Sequence, residues 1–460
     1  MYRIFDLHQN QSIVVFIVMP FLFYYNRKRF KNHIINEVEE TIMQVVIMAG
    51  GKGTRIASIR SDVPKPMIPI CGKPILEHQI EVLKRQGYTD IILVIGHLGN
   101  TIRQYFSSGE NYGVSIRYIE EEQPLGTAGA LYYLKEMIQE DFLLLNGDII
   151  FDIDIARMFS YHKQKGGMAT ILTHPNSHPY DSGLVFSDQD GLVQKWLAKE
   201  DSRTYYRNRV NAGIHILSPS ILSYFSQPKK VDLDRDILKK LISTHQLYAY
   251  ASPEYIKDMG TPQRYTEVTE DIQKGKVKMK NLHQQQKAFF LDRDGTLNVF
   301  KNFITKAEDI ELCKGAAEAL RMINESGYLA IVVSNQPVIA RGEASFEEVE
   351  RMMDRLETLL GEQGAYIDDR FYCPHHPERG FEGEVPELKI SCNCRKPQPG
   401  LLLQASEKYN IDLSSSYMVG DSLRDVEAGN HAGCTSFLLN DQKGNHYDYN
   451  DLLECVKAIL

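Results

Sequence analysis

Two carboxylates one residue apart, Asp292 and Asp294, close the run Phe289-Phe290-Leu291-Asp292-Arg293-Asp294-Gly295-Thr296-Leu297. Carboxylates this close repel unless a cation neutralises them. Asp292 is therefore read as a nucleophile and Mg²⁺ ligand, with Asp294 as proton donor and acceptor. The competing reading is an Asp-Gly turn with a solvated acidic pair, because loops favour both residue types. A second constellation is Cys373-Pro374-His375-His376 followed by Cys392-Asn393-Cys394. Its thiols and imidazole suit tetrahedral Zn²⁺. The intervening stretch is rich in Glu, Gly and Pro and could bury little of itself, so a metal would staple it. No ligand position is left for an activated water, which makes this zinc structural; reduced surface thiols are the alternative. A third is Ala49-Gly50-Gly51-Lys52-Gly53-Thr54-Arg55. Gly50, Gly51 and Gly53 let the backbone approach an anion, and the amides can cradle phosphates. The spacing is neither that of the dinucleotide fingerprint nor that of the P-loop. Val63-Pro64-Lys65-Pro66-Met67 then holds Lys65 in a proline-stiffened turn.

Each constellation must be positioned by regular elements. The apolar runs 45–48 and 289–291 read as buried parallel strands, and open α/β sheets carry their chemistry at the C-terminal ends of such strands. A helix is expected over 74–86 and strands over 91–95, 115–120 and 142–145. Further on, a strand over 329–333 ends in Ser334-Asn335-Gln336, and one over 417–419 ends in Gly420-Asp421. The expected fold class is α/β with two domains, a mixed Rossmann-like sheet over 43–274 and a Rossmannoid domain with a zinc loop over 287–460. Residues 275–286, basic then polar and without periodicity, read as a solvated linker.

The chain has 460 residues, 43 % apolar and 24 % charged, with a net charge of -8. That size carries two or three domains. The negative charge and the lack of a basic groove argue against nucleic acid as a partner. The 7 cysteines are odd in number and partly clustered with histidine, which favours a reducing, cytoplasmic compartment over a disulfide framework. Residues 13–25 are apolar and followed by Arg27-Lys28-Arg29. The run is shorter than the roughly 20 residues of a spanning helix. A membrane-contacting anchor, a packing helix and an extension from an upstream start codon all remain open for residues 1–42. The extension is preferred, because Met43 immediately precedes the first strand. The sequence specifies no oligomeric state.

The Gly-rich loop, Lys65, Pro124-Leu125-Gly126-Thr127-Ala128-Gly129-Ala130, Asn146-Gly147-Asp148, Val210-Asn211-Ala212-Gly213 and Asp258-Met259-Gly260-Thr261-Pro262 together resemble the sugar-phosphate nucleotidyltransferases. The resemblance implies that Asp148 and Asp258 hold Mg²⁺, Arg55 stabilises the triphosphate charge and Lys65 holds the incoming sugar phosphate. It implies that Gly126 lines the base and sugar site and that Asn211 contacts the sugar. Asp148 also fits a plain Asn-Gly-Asp turn. Where relatives carry Glu-Lys-Pro this chain has Gln194-Lys195-Trp196, so Lys195 is open between a sugar-phosphate contact and a solvated lysine, and Trp196 reads as core.

The Asp292 run, Ser334-Asn335-Gln336, Arg395-Lys396-Pro397 and Gly420-Asp421 resemble the haloacid dehalogenase-like phosphatases, and the zinc loop resembles their heptose bisphosphate branch. The resemblance implies Mg²⁺ between the Asp292 carboxylate, the Asp294 carbonyl and Asp421. Ser334 and Lys396 would bind phosphoryl oxygens, and Asn335, Gln336 and Arg395 the substrate. Asp425 is expected to support the loop. Zinc would take Cys373, His375, Cys392 and Cys394, with His375 fitting better than His376. The pair implies a bifunctional enzyme making a nucleotide-activated heptose. Heptose bisphosphate would be dephosphorylated to heptose 1-phosphate, then coupled to an NTP, GTP favoured. The rival readings are a phosphatase for histidinol phosphate or a nucleic-acid 3′-phosphate, and a first half that only binds sugar nucleotides.

Overall fold

The computed structural model describes residues 43–51, 62–440 and 447–460. Residues 1–42, including the apolar run 13–25, lie outside the described residues, as do Gly53 and Arg55. Among the described residues, no helix is long and apolar enough to cross a membrane.

The first sheet has nine strands. Its centre is parallel: Phe142–Asn146, Val45–Met48, Asp90–Ile95 and Ser115–Glu120 lie side by side in that order. Val45 and Ile47 face one core while Val46 faces another, so the strand is covered on both faces and needs an unbroken apolar run. Helix Ile75–Arg85 sends Leu76, Ile80 and Leu83 into the first of these cores, a helical stripe. Beyond Phe142–Asn146, the strand Val210–Leu217 runs antiparallel, and Leu184–Ser187 and Val193–Leu197 complete that edge. The strand order reverses at Val45–Met48, so a crevice opens between its C-terminal end and that of Phe142–Asn146. Ligands of α/β sheets bind at such a point. The loop over 124–130 enters a short 3-10 helix, Gly129–Leu134.

The second sheet has five parallel strands in the order Asp369–Cys373, Leu329–Asn335, Ala288–Leu291, Tyr417–Gly420 and Thr435–Leu438. Phe289 and Leu291 enter one core and Ala288 and Phe290 the other, again demanding a continuous apolar strand. Here the order reverses beside Ala288–Leu291, which brings Asp292 and Asp421 to neighbouring strand ends.

The segment expected to be a solvated linker is packed instead. Lys276–Met279 is a short helix, and Lys280, Asn281, Leu282 and Gln286 are buried. Asn281 Nδ2 donates to Asp152 Oδ1 at 2.7 Å and the Leu282 N–H to Glu254 Oε1 at 2.9 Å. Its polarity serves partners on both sides, since Lys276 Nζ also donates to the Asn324 carbonyl of the second domain at 3.1 Å. The domains also meet directly. The Tyr206 N–H donates to Thr358 Oγ1 at 3.0 Å, and Arg209 Nη2 to the Asp368 carbonyl at 2.7 Å. Helix Phe346–Glu362 lies so close that a Cβ on Gly361 would stand 2.5 Å from Pro179 Cγ.

Candidate active sites

In the first domain, Ala49, Gly50 and Gly51 leave the Val45–Met48 strand directly into the crevice. A Cβ on Gly50 would stand 2.7 Å from Glu121 Oε2, so any larger residue would have to push that carboxylate aside. Across the crevice, Asp148 follows the Phe142–Asn146 strand and meets Lys65, whose Nζ lies 2.5 Å from Asp148 Oδ2. The antiparallel pair of Ile149–Asp152 with Tyr255–Asp258 sets Asp258 opposite Ile149, and the Met259 N–H donates to the Asp148 carbonyl at 2.9 Å. Two carboxylates separated by 110 positions in the sequence are thus joined through adjacent backbone. Asp258 is held by Arg264 and by the Gly260 N–H at 2.8 Å. Burial works to raise its pKa, but Arg264 and Lys65 outweigh burial and hold it below the usual carboxylate value. Arg264 Nη2 reaches His178 Nε2 at 2.7 Å. Sequence reasoning missed this arginine. Its signal was the helix start at Thr261-Pro262, which puts Arg264 in the first turn facing back toward Asp258.

Gly126 adopts φ +81°, and a Cβ there would stand 2.5 Å from the Val231 carbonyl. Asn211 is the second residue of the Val210–Leu217 strand, with its Nδ2 3.3 Å from both oxygens of Asp234. Lys195 is exposed on the outermost strand of that side, Val193–Leu197, while its neighbour Trp196 is buried in the core.

In the second domain, Asp292 is buried at the end of Ala288–Leu291, its N–H bonded to the Val419 carbonyl at 3.0 Å. Lys396 Nζ lies 2.6 Å from Asp292 Oδ1, 2.6 Å from Asp425 Oδ1 and 2.8 Å from the Val333 carbonyl. Asn335 fixes the Lys396 backbone by exchanging two hydrogen bonds with it, both at 3.0 Å. Burial pushes the Asp292 carboxyl up, Lys396 opposes that, and the charges on Asp425 and Asp294 add to it. A cation is what this nucleophile needs to stay ionised near neutrality. Ligand oxygens of Asp292, Asp421 and Asp425 lie within 4.8 Å of one another, a donor set that fits Mg²⁺. Gly295, at φ +88°, clears the way, since a Cβ there would collide with Asp421 Oδ2 at 2.0 Å. Asp425 also caps its own helix through the Ser422 N–H at 3.0 Å.

Asp294 is turned toward Arg293, Asn298 and Gln336, with Arg293 Nη2 at 2.7 Å and Gln336 Nε2 at 3.3 Å. The same Gln336 amide donates to Ser334 Oγ at 2.8 Å, so Ser334 and Asp294 share one partner. Arg395 Nη1 donates to the His375 carbonyl at 3.1 Å.

The sulfur atoms of Cys373, Cys392 and Cys394 lie 3.2 to 3.5 Å apart, and His375 Nδ1 is 3.5 Å from Cys373 and 3.3 Å from Cys394. Tetrahedral Zn²⁺ with bonds of about 2.0–2.3 Å places its ligand atoms about 3.5–3.8 Å apart, so this quartet fits the ion with a slight expansion. His376 is outside it, its Nδ1 3.3 Å from the Glu378 carbonyl and its Nε2 3.2 Å from Arg341 Nη2. Cys394 directly precedes Arg395-Lys396, so a metal at the quartet would anchor the loop that carries the lysine onto Asp292.

Residues 44–275 match the family model described as nucleotidyl transferase, and residues 393–453 the one described as HAD-hydrolase-like. Over 232 residues the chain is 32 % identical to a mannose-1-phosphate guanyltransferase of Candida albicans, covering 48 % of this chain and 62 % of that protein. Over 216 residues it is 32 % identical to a UTP–glucose-1-phosphate uridylyltransferase of Synechocystis, covering 44 % and 56 %. The chain thus spans less than two thirds of the length of these relatives. Among solved structures, HddC from Yersinia pseudotuberculosis aligns at 29 % identity over 50 % of this chain and 99 % of its own, with a TM-score of 0.45. A D,D-heptose 1,7-bisphosphate phosphatase from B. bronchiseptica aligns at 28 % identity over 38 % and 98 %, with a TM-score of 0.33.

Proposed function

The chain belongs to the nucleotidyl transferase family, and from that premise we propose a bifunctional enzyme that dephosphorylates D-glycero-D-manno-heptose 1,7-bisphosphate at C7 and couples the resulting heptose 1-phosphate to a nucleoside triphosphate, GTP favoured. The observation that carries the reading is a lysine on a carboxylate at the reversal point of each sheet, Lys65 on Asp148 and Lys396 on Asp292. Two such sites in one chain suit two phosphate chemistries in sequence.

In the transferase step, an oxygen of the sugar phosphate attacks the α-phosphorus, the bond to the bridging oxygen breaks and pyrophosphate leaves. Positioning and charge neutralisation suffice for this, with no covalent enzyme intermediate. Lys65 supplies a point charge for the sugar phosphate. Arg264 and the Gly260 N–H keep Asp258 ionised and oriented. Mg²⁺ bound by Asp148 and Asp258 would offset the charge of the triphosphate. In the phosphatase step, an Asp292 oxygen attacks phosphorus while the ester bond breaks, giving an aspartyl phosphate. Asp294 gives its proton to the leaving oxygen, then takes one from the water that hydrolyses the intermediate. Ser334 and Lys396 receive the phosphoryl oxygens, Asn335 and Gln336 hold those two groups in place, and Arg395 faces the substrate. Mg²⁺ at Asp292, the Asp294 carbonyl and Asp421 would lower the repulsion between nucleophile and phosphate.

The test uses purified protein with Mg²⁺, α- or β-heptose 1,7-bisphosphate and each of GTP, ATP, CTP and UTP, following phosphate and pyrophosphate separately. Phosphate release followed by pyrophosphate with GTP alone is the expected result. In D148N pyrophosphate release should vanish while phosphate release continues, and in D292N phosphate release should vanish. Phosphate without pyrophosphate under any condition would reduce the first domain to a binding module. No phosphate at all would remove the heptose assignment.

A further inference from the structure

Three aspartates lie on one turn, Asp232, Asp234 and Asp236, and two of them are spent on the backbone. Asp232 accepts the Arg235 N–H at 2.8 Å as the cap of the π-type turn Leu233–Leu238. Asp236 accepts the Asp232 N–H at 2.9 Å and is paired with Arg235. Asp234 differs. Among the described residues its hydrogen bonds come from a single amide, Asn211 Nδ2, 3.3 Å from each oxygen, at the long end of the useful range. An ionised carboxylate offers about four lone-pair directions, and the partly buried Asp234 has some of them open to a donor besides Asn211. Burial first, and then the charge of Asp232, push the Asp234 carboxyl up to about 6, with Asn211 and Lys239 opposing. A carboxylate in so poor a setting is costly unless something else donates to it.

Its place says what could. The turn is pinned to the loop over 124–130, with the Leu233 N–H on Thr127 Oγ1 at 2.7 Å, the Ala128 N–H on the Val231 carbonyl at 3.1 Å and the Val231 N–H on the Leu125 carbonyl at 2.9 Å. Asn211 is the second residue of a strand whose Gly213 sits against the Asn146 side chain, so close that a Cβ would stand 2.4 Å from Asn146 Nδ2. Asn146 is two residues before Asp148. Asp234 therefore lies beside the loop over 124–130 and the strand that packs on Asn146, on the side of the transferase crevice that the Val210–Leu217 strand forms. A phosphate would be repelled there. A neutral ligand rich in hydroxyl donors would not.

We propose that Asp234 is a specificity-determining residue whose carboxylate accepts hydrogen bonds from vicinal ring hydroxyls of the acceptor sugar 1-phosphate, beside Asn211. This rests on the transferase reading above and names the part of that site which selects the sugar. Hydrogen bonds to a charged group contribute about 1.5–3 kcal/mol each, equivalent to roughly 10- to 150-fold in affinity.

The experiment measures KM and kcat of wild type, D234N and D234A for heptose 1-phosphate at saturating GTP and for GTP at saturating sugar, with the 2-, 3- and 4-deoxy sugar 1-phosphates as probes. Phosphate release at the second domain reports that each variant is folded. The expected result is a sugar KM raised about 10- to 100-fold in D234N, an unchanged GTP KM, and loss of the wild-type preference for the parent sugar over at least one deoxy analogue. An unchanged sugar KM with intact deoxy discrimination overturns the proposal, as does a change confined to GTP, which would place the carboxylate on the base. A fall in kcat for both substrates with discrimination intact overturns it in favour of a structural role. If wild type releases no pyrophosphate with any sugar 1-phosphate, the transferase reading itself falls, and the role of Asp234 with it.

Discussion

Lys396 Nζ lies 2.6 Å from Asp292 Oδ1, across 104 positions of sequence, and the same nitrogen lies 2.6 Å from Asp425. One cation thus separates two buried carboxylates that would otherwise face each other. Truncation in K396A should raise the Asp292 pKa further and lower kcat for phosphate release by at least about 100-fold, the usual effect of losing one preorganised charge partner of a reacting phosphoryl group. The acid limb of the pH–rate profile should move to higher pH. Pyrophosphate release should not change. Steady-state phosphate release between pH 5 and 9 checks this, and a fall in both activities would mean that the substitution damaged the fold.

The zinc loop is tied to the same lysine through the chain. Cys394 is two residues from Lys396, so the quartet and the phosphate site share a backbone segment. C392S or C394S should abolish stoichiometric zinc, since each leaves an incomplete tetrahedron, and should weaken phosphate release through KM and kcat together. Elemental analysis of protein prepared without chelator, paired with the phosphate assay, is the measurement. Full activity with zinc absent would sever the quartet from the reaction.

Much of both sheets is legible in the sequence because buried parallel strands demand unbroken apolar runs, and the chain supplies them at 45–48 and 289–291 directly before Gly- and Asp-rich segments. Strand ends carry the chemistry in such folds, so the positions of Asp148, Asp292 and Asp421 just past their strands could be read from local pattern. What escaped was pairing between distant segments. Arg264 on Asp258 and Asp234 on Asn211 leave no periodic trace, since each is fixed by how two elements dock. The segment over 275–286 reads as solvated because it is polar. Its polar groups are nonetheless buried, because Asp152 and Glu254 of the first domain and the Asn324 carbonyl of the second meet them.

The contact between domains centres on Asp369, which takes Arg207 Nη2 at 2.6 Å, Lys408 Nζ at 2.7 Å and the Tyr409 hydroxyl at 2.7 Å, with Arg209 Nη2 at 3.5 Å. Those cations hold its carboxyl far below the usual range even though burial pushes the other way. Removing one partner of a buried ionic cluster strands the rest, at a cost of about 3–5 kcal/mol. D369A should therefore lower the urea midpoint markedly. Because Arg209 is two residues before Asn211, it should also raise the transferase KM for sugar. D369N, which keeps the shape and part of the hydrogen bonding, should fall between. A D369A midpoint equal to wild type would show that the cluster is dispensable.

Glu254 ties the first domain to the segment that leads into the second. Its Oε1 accepts the Asp154 N–H at 2.7 Å and the Leu282 N–H at 2.9 Å, and its Oε2 accepts the Ser252 hydroxyl at 2.8 Å. Burial pushes its carboxyl up to about 7, those three hydrogen bonds pull against that, and the charge of Asp154 adds to it. A folded pKa above the unfolded value means that the fold favours the neutral acid. The stabilisation is then complete below the unfolded pKa of about 4.3 and is lost as pH rises through about 7, up to roughly 3–4 kcal/mol by linkage. In E254Q the amide oxygen can still accept both backbone N–H groups, and its NH₂ can donate to Ser252 Oγ, without any ionisation to oppose. The variant should match wild type near pH 5 and be more stable than it at pH 8, seen as a smaller fall in the urea midpoint between those two pH values. An identical pH dependence in the two proteins would remove Glu254 as its source.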